Sequence, residues 1–439
     1  MKTPRSGTGT RSVLKILVTA SILVAASLAI WRSYGIFRAD RLARAGETID
    51  NYSRALSFDP SNASLWWSRG RLRHHSVGEV DLEAAAADYR RALRMNPRLS
   101  QAWVDLADCY ERTGRIGEAE EALQRALAAH PYSPSIHWQV GNFYLRRGDR
   151  GNMYRFFKTA TEFESDKLAI AIDIAWKVDP DHEGILDKLV PNNLRSNLLY
   201  LSFLVRRDEL DLASPVWSRC LNNPIPRDFE FKPSLVFPYI DRLLARTRVA
   251  EAWQVWNDAL RKAGLRPGED RQNLVWNGSF EDKVLGGGFD WRYRDAPGYS
   301  FRIDPVNRMD RFKSLRITFE DADIHRMLLS QVIPVPVPGD YILTFFLRTR
   351  GLTTDRLPYF VVQGHPDPSA AVATPTVLPA DSGWSRITIP FTTSPGCRAV
   401  LIALRRDRSS KFDNKIKGTL WLDGFVLSPA DIMAQSELP

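Results

Sequence analysis

The acidic and histidine residues that could do chemistry in this chain do not have the spacing of a catalytic site. Glu320, Asp321 and Asp323 form an acidic cluster, but they follow a predicted strand as the residues of a turn would. Hydrolysis of a glycoside needs two carboxylates that face one bond, and the sequence contains no Gly-x-Ser-x-Gly, His-Glu-x-x-His or phosphate-loop motif. His74 and His75 are adjacent, so on a helix they point about 100 degrees apart and do not share a metal ion without further ligands. The sequence therefore predicts a non-catalytic protein.

Cysteine and charge patterns argue against two further classes of site. Cys109, Cys220 and Cys397 are far apart and odd in number, so we predict isolated buried thiols rather than a zinc site or a disulfide framework. The net charge is +9, and residues 1–45 contribute seven of those nine charges through eight basic side chains and one acidic side chain. Because the excess lies at one end, no basic face for nucleic acid is indicated.

An uncharged apolar run from Ile16 to Trp31 marks the N-terminal region. With the flanking lysine snorkelling, the run approaches the lower length limit for a transmembrane helix, and Trp31 then lies at the interface that aromatic rings favour. We predict a basic tail and a retained membrane anchor over residues 1–45. The alternative is a cleaved signal peptide with Ser27 and Ala29 at its cleavage site.

Basic residues barely decide the orientation of this anchor, since four precede the run and four follow it. The free N-terminal amine and Asp40 favour a cytoplasmic N-terminus. That orientation places the bulk of the chain outside the cytoplasm, in the periplasm if the source is bacterial.

Two helical stripes separated by a glycine lie between Pro97 and Pro131. The first stripe repeats at three and four residues, and the second contains small alanines that allow close packing: Trp103, Leu106 and Tyr110, then Ala119, Leu123 and Ala126 after Gly114. Pro60, Pro97, Pro131 and Ser165 close successive units at separations of 37, 34 and 34 residues. This pattern resembles the tetratricopeptide repeat, which has a period of about 34 residues. The resemblance implies an α-solenoid of stacked helical hairpins over residues 46–165.

Weaker stripes continue the helical pattern over residues 166–263. Two groups of residues have the spacing of second-helix stripes: Ala213, Trp217 and Cys220, then Ala252, Trp256 and Ala259. We therefore expect degenerate helical hairpins up to about Ala263. In the first unit, which ends at Pro60, we expect only the second helix.

The tetratricopeptide resemblance also implies where a partner binds, because the first helices of the units line a concave face in that family. The residues at those positions carry amide, guanidinium, imidazole and aromatic groups, a mixture that suits an extended peptide or a partner's helix. They are Trp67, Arg71, His74, His75, Gln101, Val104, Asp108, Glu111, Arg112, Trp138, Asn142, Leu145 and Arg146. The alternative is a solvated inner surface without a ligand.

Short alternating runs replace the helical period after a Gly/Pro/charged linker at 264–272. Seven strands are predicted at 315–319, 328–333, 341–348, 359–363, 384–391, 399–405 and 419–427. Pro334, Pro336 and Pro338 cannot donate to a ladder, so their segment is an edge or a connection. The pattern favours an antiparallel β-sandwich of jelly-roll type over residues 273–430, followed by a tail at 431–439.

The two ends of this region carry a second resemblance. The region opens with NLVWNGSFE at 273–281 and GFDW at 288–291, and it closes with TLWLDGFVL at 419–427. These segments are similar to those of carbohydrate-binding modules with a galactose-binding-like jelly roll. By that resemblance, Glu281 and Asp423 would supply the side-chain oxygens of a structural calcium ion. The alternative is that both carboxylates accept hydrogen bonds from turn amides.

Sugar recognition by such modules needs flat rings that stack on pyranoses and planar polar groups that bind hydroxyls. The candidates are Trp291, Tyr293, Tyr299, Tyr359, Gln363, His365 and Trp384, and Trp384 is the one most expected in the core. A basic run from Arg405 to Lys417 would meet an acidic polysaccharide or form a solvated loop.

These observations predict a multidomain α + β protein with a transmembrane helix, an α-solenoid and a β-sandwich. The predicted role is a membrane-anchored, non-catalytic envelope scaffold that binds a protein partner through its groove and glycan through its sandwich. Assistance in the assembly or export of a surface polysaccharide follows from fold analogy alone. The alternatives are a purely structural assembly factor without glycan binding and a glycan-active enzyme, and calcium is the one cofactor that the resemblance implies.

Overall fold

A computed structural model of the chain describes residues 8–75, 80–265, 273–411 and 414–430. The chain divides into two compact units, Met1–Pro191 and Asn192–Pro439. The start of the predicted basic tail, most of the predicted linker and the predicted tail at 431–439 lie outside the described residues.

Ten α-helices make up the described part of the first unit. They are α1 (Thr8–Arg44), α2 (Ile49–Phe58), α3 (Ala63–His75), α4 (Leu82–Met95), α5 (Ser100–Arg112), α6 (Ile116–Ala129), α7 (Pro134–Arg147), α8 (Arg150–Phe163), α9 (Asp166–Val178) and α10 (Ile185–Lys188). Asp81, Ser133 and Asp149 cap the starts of α4, α7 and α8, each accepting a hydrogen bond from the backbone N–H three residues later. The helices pack in pairs, α3 with α4, α5 with α6 and α7 with α8, as the repeat pattern predicts.

Small residues let the two helices of a hairpin approach each other. Gly70 faces the ring of Tyr89, and a Cβ at Gly70 would lie 2.7 Å from that ring. Gly141 faces Phe157 in the same way, at 2.5 Å. Because a ring fills the space of the missing side chain, each pair fixes the separation of its two helices.

The first repeat has both of its helices, so the expectation of a second helix alone is wrong. The C-terminal part of α1 is the missing first helix: Ala39 is buried in one cluster with Tyr52 and Ala55 of α2. Gly35 lies against the carbonyl oxygen of Phe58, where a Cβ would be 3.1 Å away. The sequence conceals this helix because it continues the apolar run with no cap or proline to mark a new start.

Within the described residues, α1 is the one helix that is long and apolar enough to cross a membrane. Membrane anchors and N-terminal signal sequences share that property.

The second unit begins with four helices, α11 (Leu194–Arg207), α12 (Leu210–Asn222), α13 (Phe237–Ala245) and α14 (Val249–Lys262). The helical pattern therefore extends to about residue 263, as predicted. The predicted stripe residues Ala213, Trp217, Cys220, Ala252, Trp256 and Ala259 are all buried. These helices belong to the same compact unit as the sandwich.

All three cysteines are free and buried, which confirms the prediction of isolated thiols. Burial raises the pKa of Cys109 and of Cys220 to about 12. Both thiols are therefore protonated and poorly nucleophilic at neutral pH.

Ten strands follow in the described part of the second unit. They are β1 (Arg292–Tyr293), β2 (Tyr299–Asp304), β3 (Ser314–Ala322), β4 (Met327–Pro334), β5 (Asp340–Thr353), β6 (Tyr359–Gly364), β7 (Thr376–Val377), β8 (Ser382–Thr392), β9 (Ala399–Arg405) and β10 (Ile416–Pro429). They form two five-stranded antiparallel sheets, β1-β4-β9-β6-β7 and β2-β3-β10-β5-β8. All seven predicted strands are confirmed. The sequence prediction lacks β1 and β7, which have two residues each, and β2, which ends at an Asp-Pro step.

Aromatic side chains fill the core between the two sheets. Phe345 of β5 contacts Phe360 of β6 and Phe425 of β10, with ring centroids 4.5 and 4.6 Å apart. Trp291 contacts Phe425 at 4.8 Å. The segment that opens the domain and the strand that closes it therefore meet in one core.

Helices α13 and α14 pack against the sandwich within the second unit. Trp256 of α14 contacts Phe289 edge-on, with 6.3 Å between ring centroids, and Trp253 contacts the same ring at 5.0 Å. Asp241 of α13 forms an ion pair of 2.5 Å with Arg292 of β1. The sandwich thus packs on helices rather than standing alone.

The basic run after β9 is only partly solvated, because Arg406 is buried. Its guanidinium donates to the carbonyl oxygens of Ile324, Arg356 and Asn414 and to the hydroxyl of Thr354. One side chain therefore holds three loops at this end of the sandwich, and it is not available to a polysaccharide.

Candidate functional site

The inward-facing residues of α3, α5 and α7 line one groove with a volume of 660 Å³. The predicted partner-binding residues in its lining are Trp67, Arg71, His74, His75, Gln101, Val104, Asp108, Glu111, Trp138, Asn142 and Arg146. Arg112 and Leu145 belong to the predicted set but do not line the groove. Arg112 instead lies exposed in the last turn of α5.

A buried histidine forms part of the groove floor. His74 Nδ1 lies 3.2 Å from the Tyr89 hydroxyl, and its Nε2 lies 2.7 Å from Asp108 Oδ2. This hydrogen bond lowers the pKa of Asp108 below its usual value. Desolvation, together with the His74 ring stacked at 4.2 Å, lowers the pKa of His75. Asp108 therefore stays ionised at neutral pH, and His75 is a weaker base than a free imidazole.

Asp105 also lines the groove and is absent from the sequence-based set. Its carboxylate accepts a hydrogen bond from the Trp67 ring N–H at 2.6 Å and another from the Gln101 amide at 3.2 Å. The signal for Asp105 was its position four residues after Gln101 on the same helix. This network fixes the Trp67 ring, which is half-buried at the groove wall.

The two groove arginines have different partners. Arg146 of α7 donates two hydrogen bonds to Glu111 of α5, at 3.0 and 2.6 Å, and this pairing raises the pKa of Arg146. The guanidinium of Arg71 lies over the Trp67 ring at 5.2 Å, and no carboxylate among the described residues forms an ion pair with it. Arg71 is exposed, so it can bind an anionic group of a ligand.

A second cavity of 460 Å³ continues the concave surface toward α2. It shares Arg71 and His75 with the groove, and Glu47 and Tyr52 also line it. An extended ligand that passes Arg71 therefore meets a continuous surface from α2 to α7.

The prediction that Trp291 and Tyr299 stack on a sugar is wrong. The exposed fractions of Trp291 and Tyr299 are 0% and 5%, and both belong to the sandwich core. The Trp291 ring N–H donates to the Asn277 carbonyl oxygen at 3.1 Å. A buried ring cannot stack on a pyranose.

Two other aromatic candidates are also placed differently from the expectation. Tyr293 faces the core, where it stacks on Phe301 at 4.6 Å. Trp384, expected in the core, is half-buried on the edge strand β8.

The remaining glycan candidates lie together along β6. Tyr359 and Gln363 alternate with the core residues Phe360 and Val362, so they share the outward face of the strand. The Tyr359 hydroxyl donates to Asp407 at 2.8 Å. His365 follows the strand, and burial beside the Arg292 charge lowers its pKa. This row offers one half-buried ring rather than a platform of several rings.

Comparison with known proteins finds a family match for the middle of the helical array, which contains α4, α5 and α6. The family model for the tetratricopeptide repeat matches residues 79–134. These residues are tetratricopeptide repeats. Anaphase-promoting complex subunit 3 of Schizosaccharomyces pombe is 29% identical to this chain over 119 residues. That match covers 27% of this chain and 17% of the relative, so the chain spans about a sixth of the relative's length.

Several solved structures each match a part of the chain. A CBM4 structure matches with 17% identity and a TM-score of 0.26, over 35% of this chain and 99% of that one. YrrB, a TPR protein with an unusual peptide-binding site, matches with 14% identity and a TM-score of 0.25, over 49% of this chain and 94% of that one. PilF of Pseudomonas aeruginosa matches with 18% identity and a TM-score of 0.29, over 44% and 90%. Tetratricopeptide repeats imply a scaffold for protein interactions.

The residues that the module resemblance assigns to calcium hold backbone amides instead. Glu281 Oε1 accepts hydrogen bonds from the N–H groups of Phe312 and Lys313, and the Lys313 ammonium donates to the Glu281 carbonyl oxygen. Asp423 Oδ2 accepts from the N–H groups of Met309 and Asp310, at 2.8 and 2.7 Å.

This donor set does not fit calcium. Asp423 Oδ1 is buried without a partner among the described residues, but the Lys313 ammonium donates to the main-chain carbonyl oxygen of Glu281 and so occupies that oxygen. The described residues contain no group of three or more His, Cys, Asp or Glu side chains that could hold a metal ion. Burial raises the pKa of Asp423 to about 6.

Proposed function

We propose that this protein is a membrane-tethered scaffold that binds an extended segment of a partner protein in the groove of its tetratricopeptide repeats. The observation that carries the proposal is the groove itself, where three first helices present paired carboxylates, two half-buried tryptophans and one unpaired arginine. Amide and carboxylate groups suit a peptide backbone, and the tryptophans offer flat apolar surface for side chains. These features favour a peptide over a compact small molecule.

Arg71 gives the proposed ligand a preferred chemistry. Because its guanidinium stands over an indole ring without an acid partner, we expect it to bind a carboxylate of the peptide. The other groove arginine is already paired with Glu111. The preferred segment therefore carries an acidic residue at Arg71 and an apolar residue near Trp67 or Trp138.

The experiment is selection of a displayed library of random 12-residue peptides on the full chain in lipid nanodiscs. We expect enriched peptides to contain acidic residues, and Arg71→Glu should weaken their binding at least tenfold, about 1.4 kcal/mol. Arg112→Glu is the matched control, since Arg112 is exposed outside the groove. Equal binding by the Arg71 and Arg112 variants, or peptides insensitive to Trp67→Ala, would place binding elsewhere.

The tether is the apolar part of α1. An alkaline wash of membranes separates an inserted protein from a peripheral one, and mass spectrometry of the purified protein shows whether residues 1–29 are retained. A soluble protein that lacks them would favour the signal-peptide alternative.

Glycan binding and a role in surface polysaccharide assembly stay predictions from the module resemblance. The sandwich contacts α13 and α14 and keeps one aromatic candidate on its outward β6 row, which favours a structural role for this domain. A glycan array probed with the full chain tests the prediction. Binding that is lost in Tyr359→Ala would restore the glycan role.

A further inference from the structure

The base of the first repeat carries an exposed aromatic and basic surface. We define it as the basal cluster, formed by Trp31, Tyr34, Phe37 and Arg38 of α1 and Phe58 of α2. The exposed fractions of Trp31, Tyr34 and Phe37 are 74%, 56% and 59%. Large exposed rings at three positions on one short stretch of helix are unusual for a surface that faces only water.

Arg38 connects the two helices of this cluster. Its guanidinium lies over the Tyr34 ring at 5.9 Å and over the Phe58 ring at 5.1 Å. No carboxylate among the described residues forms an ion pair with Arg38 or with Arg41. By contrast, Arg32 and Arg44 are paired with Asp59 and Asp40, respectively. The basal cluster and the neighbouring Arg41 therefore offer two uncompensated cations beside aromatic rings.

The position of the cluster follows from the length of the apolar run. Sixteen residues from Ile16 to Trp31 rise about 24 Å along a helix, less than the roughly 30 Å of a bilayer core. A short span draws its flanking residues toward the membrane surface. Because α1 continues unbroken to Arg44 and packs on α2, the first repeat is drawn there as well.

We propose that the basal cluster binds the headgroup layer of an anionic bilayer, with Arg38 and Arg41 contacting lipid phosphates and the rings lying at the interface. The proposal rests on the membrane tether proposed above. A second copy of the chain is a poorer occupant, because Arg41 and Arg44 lie on the same exposed face of α1 as Tyr34 and Phe37. A symmetric pairing of that face would place like charges together. The contact would hold the tetratricopeptide array in a fixed orientation on the membrane.

The test uses the full chain in nanodiscs whose lipids carry a fluorescence quencher on the headgroup or on the acyl chain. A fluorophore is attached to a single introduced cysteine, Ser57→Cys at the base of the hairpin or Glu47→Cys at its opposite end as the matched control. The three native cysteines are buried. Leu23→Cys, within the apolar run, reports insertion by acyl-chain quenching.

We expect headgroup quenching at position 57 to exceed that at position 47 at least twofold in discs containing phosphatidylglycerol. The double variant Arg38→Gln and Arg41→Gln should reduce the difference in quenching between positions 57 and 47 to the value measured in neutral discs. Equal quenching at 57 and 47, or quenching unaffected by the arginine changes, would overturn the proposal while position 23 still reports insertion. If position 23 is not quenched, the tether fails, and this proposal fails with it.

Discussion

Removing the buried carboxylate of Asp88 should destabilise the α3–α4 hairpin, which carries Trp67, one of the two groove tryptophans. Asp88 of α4 is 2% exposed and accepts two hydrogen bonds from Arg69 and one from Arg73, at 2.7–2.9 Å. Both arginines belong to α3, which also carries Trp67 and Arg71. The ion pairs therefore fix the helix that presents these groove residues.

The expected cost of Asp88→Ala is set by the charges that it leaves behind. Breaking a buried ion pair by removing one partner costs about 3–5 kcal/mol. Arg69 keeps a hydrogen bond to Ser53 and its position over the Trp66 ring, and Arg73 is partly exposed. Both arginines therefore keep other partners or water, and we expect the lower limit of this range. About 3 kcal/mol corresponds to a fall in Tm of roughly 6–12 °C for a unit of this size.

The assay is calorimetric unfolding of the full chain in nanodiscs, with hydrogen exchange to locate the loss in α3 and α4. Glu121→Ala is the control, since Glu121 forms an exposed pair with Arg125 worth about 0.3–0.5 kcal/mol. A Tm change for Asp88→Ala no larger than that of the control would refute the reasoning that this carboxylate neutralises two guanidinium groups.

Three further predictions concern packing, a buried cation and pH. Gly141→Ala should destabilise the array by about 1–3 kcal/mol, because its Cβ would meet the facing ring. A Cβ at Gly117 would have no atom within 4 Å, so Gly117→Ala should stabilise the array by about 0.4–1 kcal/mol. Urea unfolding measures both variants, and equal changes in their unfolding free energies would contradict the packing account. Arg406→Met should lower the free energy of unfolding by about 4 kcal/mol, because three loop carbonyls lose their donor. The control is Arg405→Met at the half-buried neighbouring position, which should lower it by under about 1 kcal/mol. Burial raises the pKa of Asp290 to about 7. The sandwich should therefore lose stability as pH rises from about 4 to about 7, and Asp290→Asn should flatten that part of the curve; an unchanged slope would exclude Asp290 as its source.

Much of the architecture could be predicted from sequence because its signals are local. The spacing of Trp103, Leu106 and Tyr110 depends only on helical geometry, and the alternation along 341–348 depends only on that of a strand. The concave positions also follow from the repeat register, which is why the predicted residues largely line the observed groove.

What only the tertiary structure decided is which surfaces meet. Trp291 and Tyr359 both look like flat rings for a sugar in the sequence, yet one is in the core and the other on an outward face. The pairing of Asp105 with Trp67 joins residues on different helices. The first helix of the first repeat was hidden because its buried residue, Ala39, has meaning only once α2 packs on it. Periodicity is a property of a single segment, whereas burial and pairing depend on how separate segments come together, so only the folded chain could determine them.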